Sequence, residues 1–297
     1  MNGIINVLKP PGMTSSDVVV YLRRCLNIKK IGHAGTLDPG ATGVLVVCMG
    51  KATKLSEYIM AEDKSYYGGM ILGIDTDTLD AHGKITQKSS QLPCLARIQE
   101  AFKKYKGVLM QDPPMYSARK YKGKRLYELA RQGQEVKVPP REVQIFKNDI
   151  IEYIPPNYIS FKTECTKGTY IRSLVRDIGE DLGCGAYLSF LIRTGSGMFC
   201  INHSHTLQEI KESYLAKELN NILKPMDSVL SSLGEITLDH RVFNKVIHGN
   251  ALGMDAVISD ITHINNSELI KVYCRDTFIG LGYINSDKMI KMRKVLV

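Results

Sequence analysis

The stretch "GVLVVCMG", Gly43 to Gly50, constrains the fold more than any other. It is a short uncharged run of β-formers, and such a run reads as a strand buried inside a sheet. The chain must supply neighbours for it. "SYYGGMILG" from Ser65 and "AYLSFLIRTGSG" from Ala186 are further strand-like runs, the second ending in a glycine turn. "GIINVLKPPGMTSSDVVVYLRRCLN" reads as strand, turn and helix: Pro10, Pro11 and Gly12 punctuate, and Thr14 or Ser15 serves as N-cap. Val18, Leu22, Cys25 and Leu26 then share one helical face. "KATKLSEYIM" and "LARIQEAFKKY" are helical, and "DTDTLDAHGK", Asp75 to Lys84, is a polar loop. "NYISFKTECTKGTYIRSLVRDIGEDLG" is strand, tight turn and helix, with Gly183 closing the helix.

Strands and helices interleave without a regular βαβ period. An α+β fold with a mixed sheet therefore fits better than a doubly wound one. Near "KPMDSVLSSLGEI" the texture changes to short strand-like pieces: "ITLDH", "LIKVYCR", "TFIGLGYI" and "KMRKVLV". The 297 residues divide on this reading into a large unit, 1–229, and a small β-rich one, 230–297.

Charge is uneven. The whole chain carries +9, which favours an anionic partner, nucleic acid first. Ser117 to Lys147 holds nine Lys/Arg against three Glu, two thirds of the net charge in a tenth of the length. Tyr116, Tyr121 and Tyr127 interleave with those cations. Cations neutralise phosphates and rings stack on bases, so the segment suits RNA or DNA; a solvated helix face over half-buried tyrosines would leave the same pattern. The seven cysteines form no CxxC pair, which argues against both a disulfide framework and a zinc knuckle. The first residues lack the look of a signal peptide, and no run approaches the ~20 apolar residues of a membrane span. A reduced, cytoplasmic protein without metal is expected.

One glycine-rich stretch invites a chemical reading. "GHAGTLDPGATGVL", Gly32 to Leu45, is not a Walker loop, since Gly50-Lys51 is followed by Ala52 and Leu45 stands where the first glycine belongs. No G-x-G-x-x-G is present either, so a nucleotide cofactor is unsupported. Asp38 precedes Pro39, which forces it into an extended conformation, and Gly35 and Gly40 permit bends on either side. That is a stiff mount for one carboxylate. Taken alone, the stretch fits a structural Asx turn better than a functional acid. Tyr170 and Arg172 lie two apart before a helix; on extended backbone they would share a face, and a buried arginine there could orient a carboxylate.

The motifs "LKPPGMTSSDVV", "GHAGTLDPGATGVLVVCMGKATKL", "DKSYYGGMILG", "MYSARKYKGKRLYELARQG" and "CTKGTYIRSLVRDIGEDLGCGAYLSFLIRTGSG" occur in this order. Together they resemble the tRNA pseudouridine-55 synthases of the TruB family. The likeness spans most of the first ~225 residues. It implies a pseudouridine synthase mixed-sheet catalytic domain that isomerises one T-loop uridine, position 55, to pseudouridine, with no cofactor and no metal. The acid of G-x-L-D-P is the family's nucleophile, which falls on Asp38. Two routes fit the chemistry, addition to the uracil ring or action at the sugar.

The resemblance implies further roles. Arg172 would pair with Asp38. Tyr66, from "KSY", would stack on the flipped uracil and assist proton transfer, with Tyr67 adjacent. Tyr170 and Leu191 would line the pocket, and His33 would lie against the RNA near the vacated position. Lys9 would support the site from beneath. The basic segment matches the family's RNA-clamping insertion, about 112–142, with Arg119, Lys120, Lys122, Lys124 and Arg125 on the RNA. "VFNKVIHGNAL" and "TFIGLGYI" resemble its small C-terminal β-barrel, the PUA type. From Leu230 onward there are eight Lys/Arg and seven Asp/Glu, so it brings far less net charge to RNA than the clamp does. The partner would be the T-arm of tRNA, with no membrane and no obligatory protein partner, and the enzyme a monomer. Two rivals stand beside this reading: a guide-RNA-dependent relative acting on ribosomal RNA, and a non-catalytic RNA binder on the same scaffold.

Overall fold

The computed structural model describes residues 1–260 and 267–297. The chain opens with β1 (Gly3–Lys9), α1 (Ser15–Cys25), β2 (Ile31–His33) and β3 (Thr42–Met49). Thr14 is the N-cap of α1: its hydroxyl accepts from Asp17 N at 3.0 Å, and the Asp17 carboxylate accepts from Thr14 N at 2.9 Å. Such a capping box is worth about 1 kcal/mol. A 3-10 turn, Gly50–Leu55, runs into α2 (Ser56–Ala61) and β4 (Lys64–Leu72). Next comes a small hairpin of β5 (Ile74–Thr76) and β6 (Ile85–Lys88), then α3 (Leu95–Lys104) and β7 (Gly107–Gln111). The basic segment forms only β8 (Lys120–Tyr121), β9 (Lys124–Arg125) and α4 (Leu126–Arg131). The chain returns through β10 (Arg141–Ile154), β11 (Tyr158–Cys165), α5 (Ile171–Asp181), β12 (Ala186–Ser196), β13 (Phe199–Cys200), α6 (Leu207–Leu215) and α7 (Leu219–Ile222).

The main sheet runs β1-β3-β12-β4-β11-β10-β7, with β2 on β3 and β13 on β12. β3 and β12 pair in parallel and the other neighbours antiparallel, so the sheet is mixed and the fold α+β. β3 is buried from Gly43 to Met49, as its composition demanded. Gly43 lies against the Arg193 backbone at a φ of +105°, where a side chain would be both strained and obstructed. α1 and α6 cover one part of the sheet through Val18, Leu22 and Ile210 against Ile5, Leu45 and Val47. α3 and α5 cover another through Ile98, Phe102, Leu174 and Ile178 against Met70 and Phe161.

The remaining residues form β14 (Glu235–Leu238), α8 (Phe243–Ile247), β15 (Leu252–Gly253), β16 (Ile270–Cys274), β17 (Thr277–Ile284) and β18 (Met289–Val295). Their sheet, β14-β16-β17-β18-β15, has its own core, including Ile236, Val272, Ile279 and Ile290. It meets the rest of the chain through Leu55, Leu230, Leu281 and Leu296, a Lys294–Glu57 ion pair, and Lys54 Nζ donating to Val295 O at 2.8 Å.

Two local expectations are corrected. Asp75 and Thr76 of "DTDTLDAHGK" belong to β5, and the rest is the tip of the β5–β6 hairpin rather than a separate polar loop. Leu79, with φ at +63°, turns that tip onto β12: Leu188 N donates to Leu79 O at 3.0 Å and Ala81 N to Leu188 O at 3.1 Å. Tyr170 and Arg172 do not form an extended pair either. α5 begins at Ile171, so Tyr170 is its N-cap and Arg172 lies inside its first turn.

Candidate active site

Asp38 lies on the loop from β2 to β3. Ala41 N donates to Asp38 O at 3.1 Å, closing a tight turn with Pro39 second, the position that its fixed φ favours. The loop is pinned from several sides. Ser15 Oγ accepts from Leu37 N at 2.9 Å, and Gly12 N donates to Pro39 O at 2.9 Å. Lys9 Nζ, fully buried, donates to Met13 O at 2.6 Å, Pro10 O at 2.9 Å and Pro39 O at 3.3 Å. Burial pushes the Lys9 ammonium down to about 8, against the attraction of Asp38. The lysine is therefore a buried support for the loop. Gly40 abuts His82 of the hairpin tip, where any side chain would collide.

Arg193 holds the same loop from below. It is 2% exposed; its Nε donates to Val44 O at 2.7 Å, its Nη2 to Gly35 O at 3.1 Å and its Nη1 to Thr36 O at 3.4 Å. These carbonyls bracket Asp38 in sequence. The Asp38 side chain itself stays 45% exposed, so the backbone is clamped while the carboxylate remains reachable.

Arg172 meets that carboxylate. Its Nη2 lies 2.9 Å from Asp38 Oδ2, and its side chain is only 6% exposed. Its Nη1 donates to Thr78 O at 3.0 Å and lies 3.8 Å from Asp80 Oδ2, while Nη2 also donates to Tyr116 O at 2.8 Å. A cation in the first turn of a helix opposes the helix dipole. Two carboxylates and two carbonyls offset that cost and fix the plane of the guanidinium. Asp80 is in turn oriented by Thr78 Oγ1 at 2.7 Å and His82 N at 3.0 Å.

Tyr66 and Tyr67 alternate across β4. Tyr67 packs edge-on against Phe190 at 5.5 Å, whereas Tyr66 shares its surroundings with Arg193 and Asp38 and stands opposite Arg193 in register. Burial pushes the Tyr66 phenol up to about 12 despite the hydrogen bond and positive charge of Arg193, so it keeps its proton at neutral pH. Leu191 packs with Tyr66 on one apolar cluster. Tyr170 adjoins Arg172 through the helix start. His33 ends β2; its Nδ1 is buried without a partner, and burial and then Arg193 push its pKa down, favouring the neutral ring.

The basic residues form a separate surface. Lys120, Lys122, Lys124 and Arg125 are exposed, while Arg119 is half-buried with Nη1 unpartnered. Arg125 and Arg131 sit over the Tyr127 ring at 5.8 and 5.6 Å, and Lys122 over Tyr121 at 5.5 Å. The structure thus brings Asp38, Arg172 and Tyr66 together, and the backbone of the basic segment reaches Arg172 at Tyr116. Arg193 and Asp80 escaped the sequence reading. A lone arginine within the apolar run "FLIRTG" was the available signal for the first, because such a charge is buried only for a purpose. Nothing local marks Asp80 among its neighbouring acids. Among the described residues no group of three or more His, Cys, Asp or Glu could hold a metal ion.

The TruB family pseudouridylate synthase N terminal domain matches residues 23–171, and the tRNA pseudouridylate synthase B C-terminal domain matches 172–231. The chain belongs to the TruB family. Family membership makes it a pseudouridylate synthase, an isomerase. It is 44% identical over 292 residues, 97% of each chain, to a tRNA pseudouridine synthase B of Caldanaerobacter subterraneus subsp. tengcongensis. It is 42% identical over the full length of both chains to the protein of that name from Clostridioides difficile. Among solved structures, a crystal structure of a Cbf5-Nop10-Gar1 complex contains a TruB-like fold: TM-score 0.75, 26% identity, 99% of this chain and 85% of that one.

Proposed function

We propose that this chain isomerises the T-loop uridine of tRNA, position 55, to pseudouridine, with Asp38 as nucleophile and no cofactor. The observation that carries the proposal is the 2.9 Å pair between a buried Arg172 and a half-exposed Asp38 on a pinned loop. The full-length relatives named tRNA pseudouridine synthase B support tRNA as the RNA. A stacked base is out of reach of that carboxylate, so the nucleotide must be flipped out, at a cost of roughly a few kcal/mol. Lys120, Lys122, Lys124 and Arg125 supply phosphate contacts that offset it, with Arg119 behind them. His33 takes the side of the RNA that the nucleotide vacates, Tyr66 stacks on the uracil, and Tyr170 and Leu191 wall the pocket.

The isomerisation balances within one nucleotide. The N1–C1′ bond breaks and a C5–C1′ bond forms; C5 loses a proton and N1 gains one. No oxidant or second substrate enters. Arg172 pairs with Asp38 and aims its carboxylate, and the protonated Tyr66 phenol is available at the ring for proton transfer. We assign residues 1–229 to catalysis, with the clamp at about 112–142, and 230–297 to a PUA-like module that steadies them. The enzyme works as a monomer in the cytoplasm.

The test is tritium release from a T-arm stem-loop labelled at uracil C5, with purified chain and no guide RNA. Forming the C–C bond must expel that hydrogen. Release is expected from the wild chain. Its absence at stoichiometric enzyme overturns the assignment, and release that appears only with a guide RNA favours the guide-dependent rival.

A further inference from the structure

Four hydrogen bonds join the root of the basic segment to the first turn of α5. Gln111, the last residue of β7 and 2% exposed, closes a reciprocal pair with the Tyr170 backbone: Nε2 donates to Tyr170 O at 3.1 Å, and Oε1 accepts from Tyr170 N at 2.8 Å. Ser173 Oγ donates to Asp112 O at 2.8 Å, and Arg172 Nη2 donates to Tyr116 O at 2.8 Å. Tyr170 is the N-cap of α5, yet its side chain caps nothing. Gln111 holds the helix start instead, from another strand. A buried primary amide is costly unless it is paired, and these two bonds satisfy both of its ends.

The position matters as much as the bonds. The segment with the exposed cations leaves the sheet one residue after Gln111, and Arg172 follows Tyr170 by two. We infer that Gln111 is a positioning residue: it locks the Tyr170–Arg172 turn to the root of the basic segment, so that RNA seated on that segment and Arg172 seated on Asp38 form one mechanical unit. The inference rests on the function proposed above. It asks for little movement, since a displacement of ~1 Å at a reacting group costs about 100-fold in rate.

Two full-length variants test it. Gln111→Leu keeps most of the volume and loses both bonds. Gln111→Glu keeps the acceptor for Tyr170 N and loses the donor to Tyr170 O. Amide hydrogen exchange over residues 170–174, affinity for the T-arm stem-loop and single-turnover tritium release are measured for each. Exchange in Gln111→Leu is expected to quicken at least about ten-fold in that turn. Its single-turnover rate should fall about 10- to 100-fold while RNA affinity changes less than about three-fold. Gln111→Glu should recover part of the rate, which a merely structural role would not produce. RNA should slow exchange in the turn of the wild chain and not in that of Gln111→Leu. Unchanged exchange at 170–174, or a rate that falls only in step with affinity, overturns the inference. If the wild chain releases no tritium, the function proposal fails, and exchange in the free protein still decides what Gln111 does.

Discussion

The loop that carries Asp38 and the segment that carries Lys120 to Arg125 are both charged and glycine-bearing, and the fold treats them in opposite ways. Around Asp38 the backbone is tied down by Lys9, Ser15 and Arg193, and the side chains that do it are buried. In the basic segment two two-residue strands and one short helix stand on little more than Leu126 and Leu129, and the cations point to solvent. Reaction chemistry needs a group aimed to within a fraction of an ångström, so ordering its mount is worth the cost. Capturing a polyanion needs charge near phosphates and tolerates loose geometry. Rigidity is spent where direction matters.

The comparison breaks first at Asp38. Asp38→Asn removes the proposed nucleophile and leaves the ties on its loop in place. Tritium release should fall at least about 10⁴-fold, with the melting temperature and RNA affinity near those of the wild chain. Release that persists in this variant refutes the nucleophile assignment, whatever the basic segment does.

The pinned region also predicts a pH effect. Lys9 and Lys64, 0% and 7% exposed, are both held on backbone carbonyls, and burial pushes each down to about 8. A lysine lowered by folding is unfavourable while both states are protonated, and that penalty fades as pH rises from the folded pKa of about 8 towards the unfolded value of 10.5. Lys9→Met escapes the penalty. The stability of the wild chain relative to this variant should therefore rise with pH across that window, by at most about 1.4 kcal/mol per pH unit. Urea unfolding of both proteins at several pH values checks it; a constant difference would mean that the ammonium is solvated in the folded state.

How much of this was legible in the sequence follows the range of the interactions. The capping box at Thr14, the buried run at β3 and the closing Gly183 depend on near neighbours and are readable from them. Strand β10 is masked: register shifts at Ile145/Lys147 and Ile150/Glu152 break the alternation that would have marked its 14 residues. Asp38 read alone looked structural, and only the ordered set of motifs turned it into a candidate nucleophile. Asp80, Arg193 and Gln111 act on backbone or charge far away in sequence, so no local pattern announces them.

In the loose region the effects should be smaller and should live in binding. Lys122→Glu combined with Lys124→Glu should weaken stem-loop binding about ten-fold near 0.1 M salt and make its salt dependence shallower by about one to two units of slope. The single-turnover rate at saturating enzyme should barely move. A large rate loss at saturation would instead show that these cations help to aim the target base.

The smallest predicted effect marks where the proposed clamp ends. Counting charge along the chain placed Lys147 in the basic segment, because its cations run on to that residue. In space Lys147 is on β10, and its ammonium lies 2.8 Å from Glu164 Oε1 on the neighbouring strand. That pairing raises the Lys147 pKa and leaves its charge matched. An exposed pair of this kind, screened by solvent, adds little to stability. Lys147→Ala should therefore leave stem-loop affinity within about two-fold and the melting temperature nearly unchanged. A loss of affinity comparable to that of the Lys122/Lys124 variant would extend the proposed RNA surface onto the sheet and erase the boundary between the two regions.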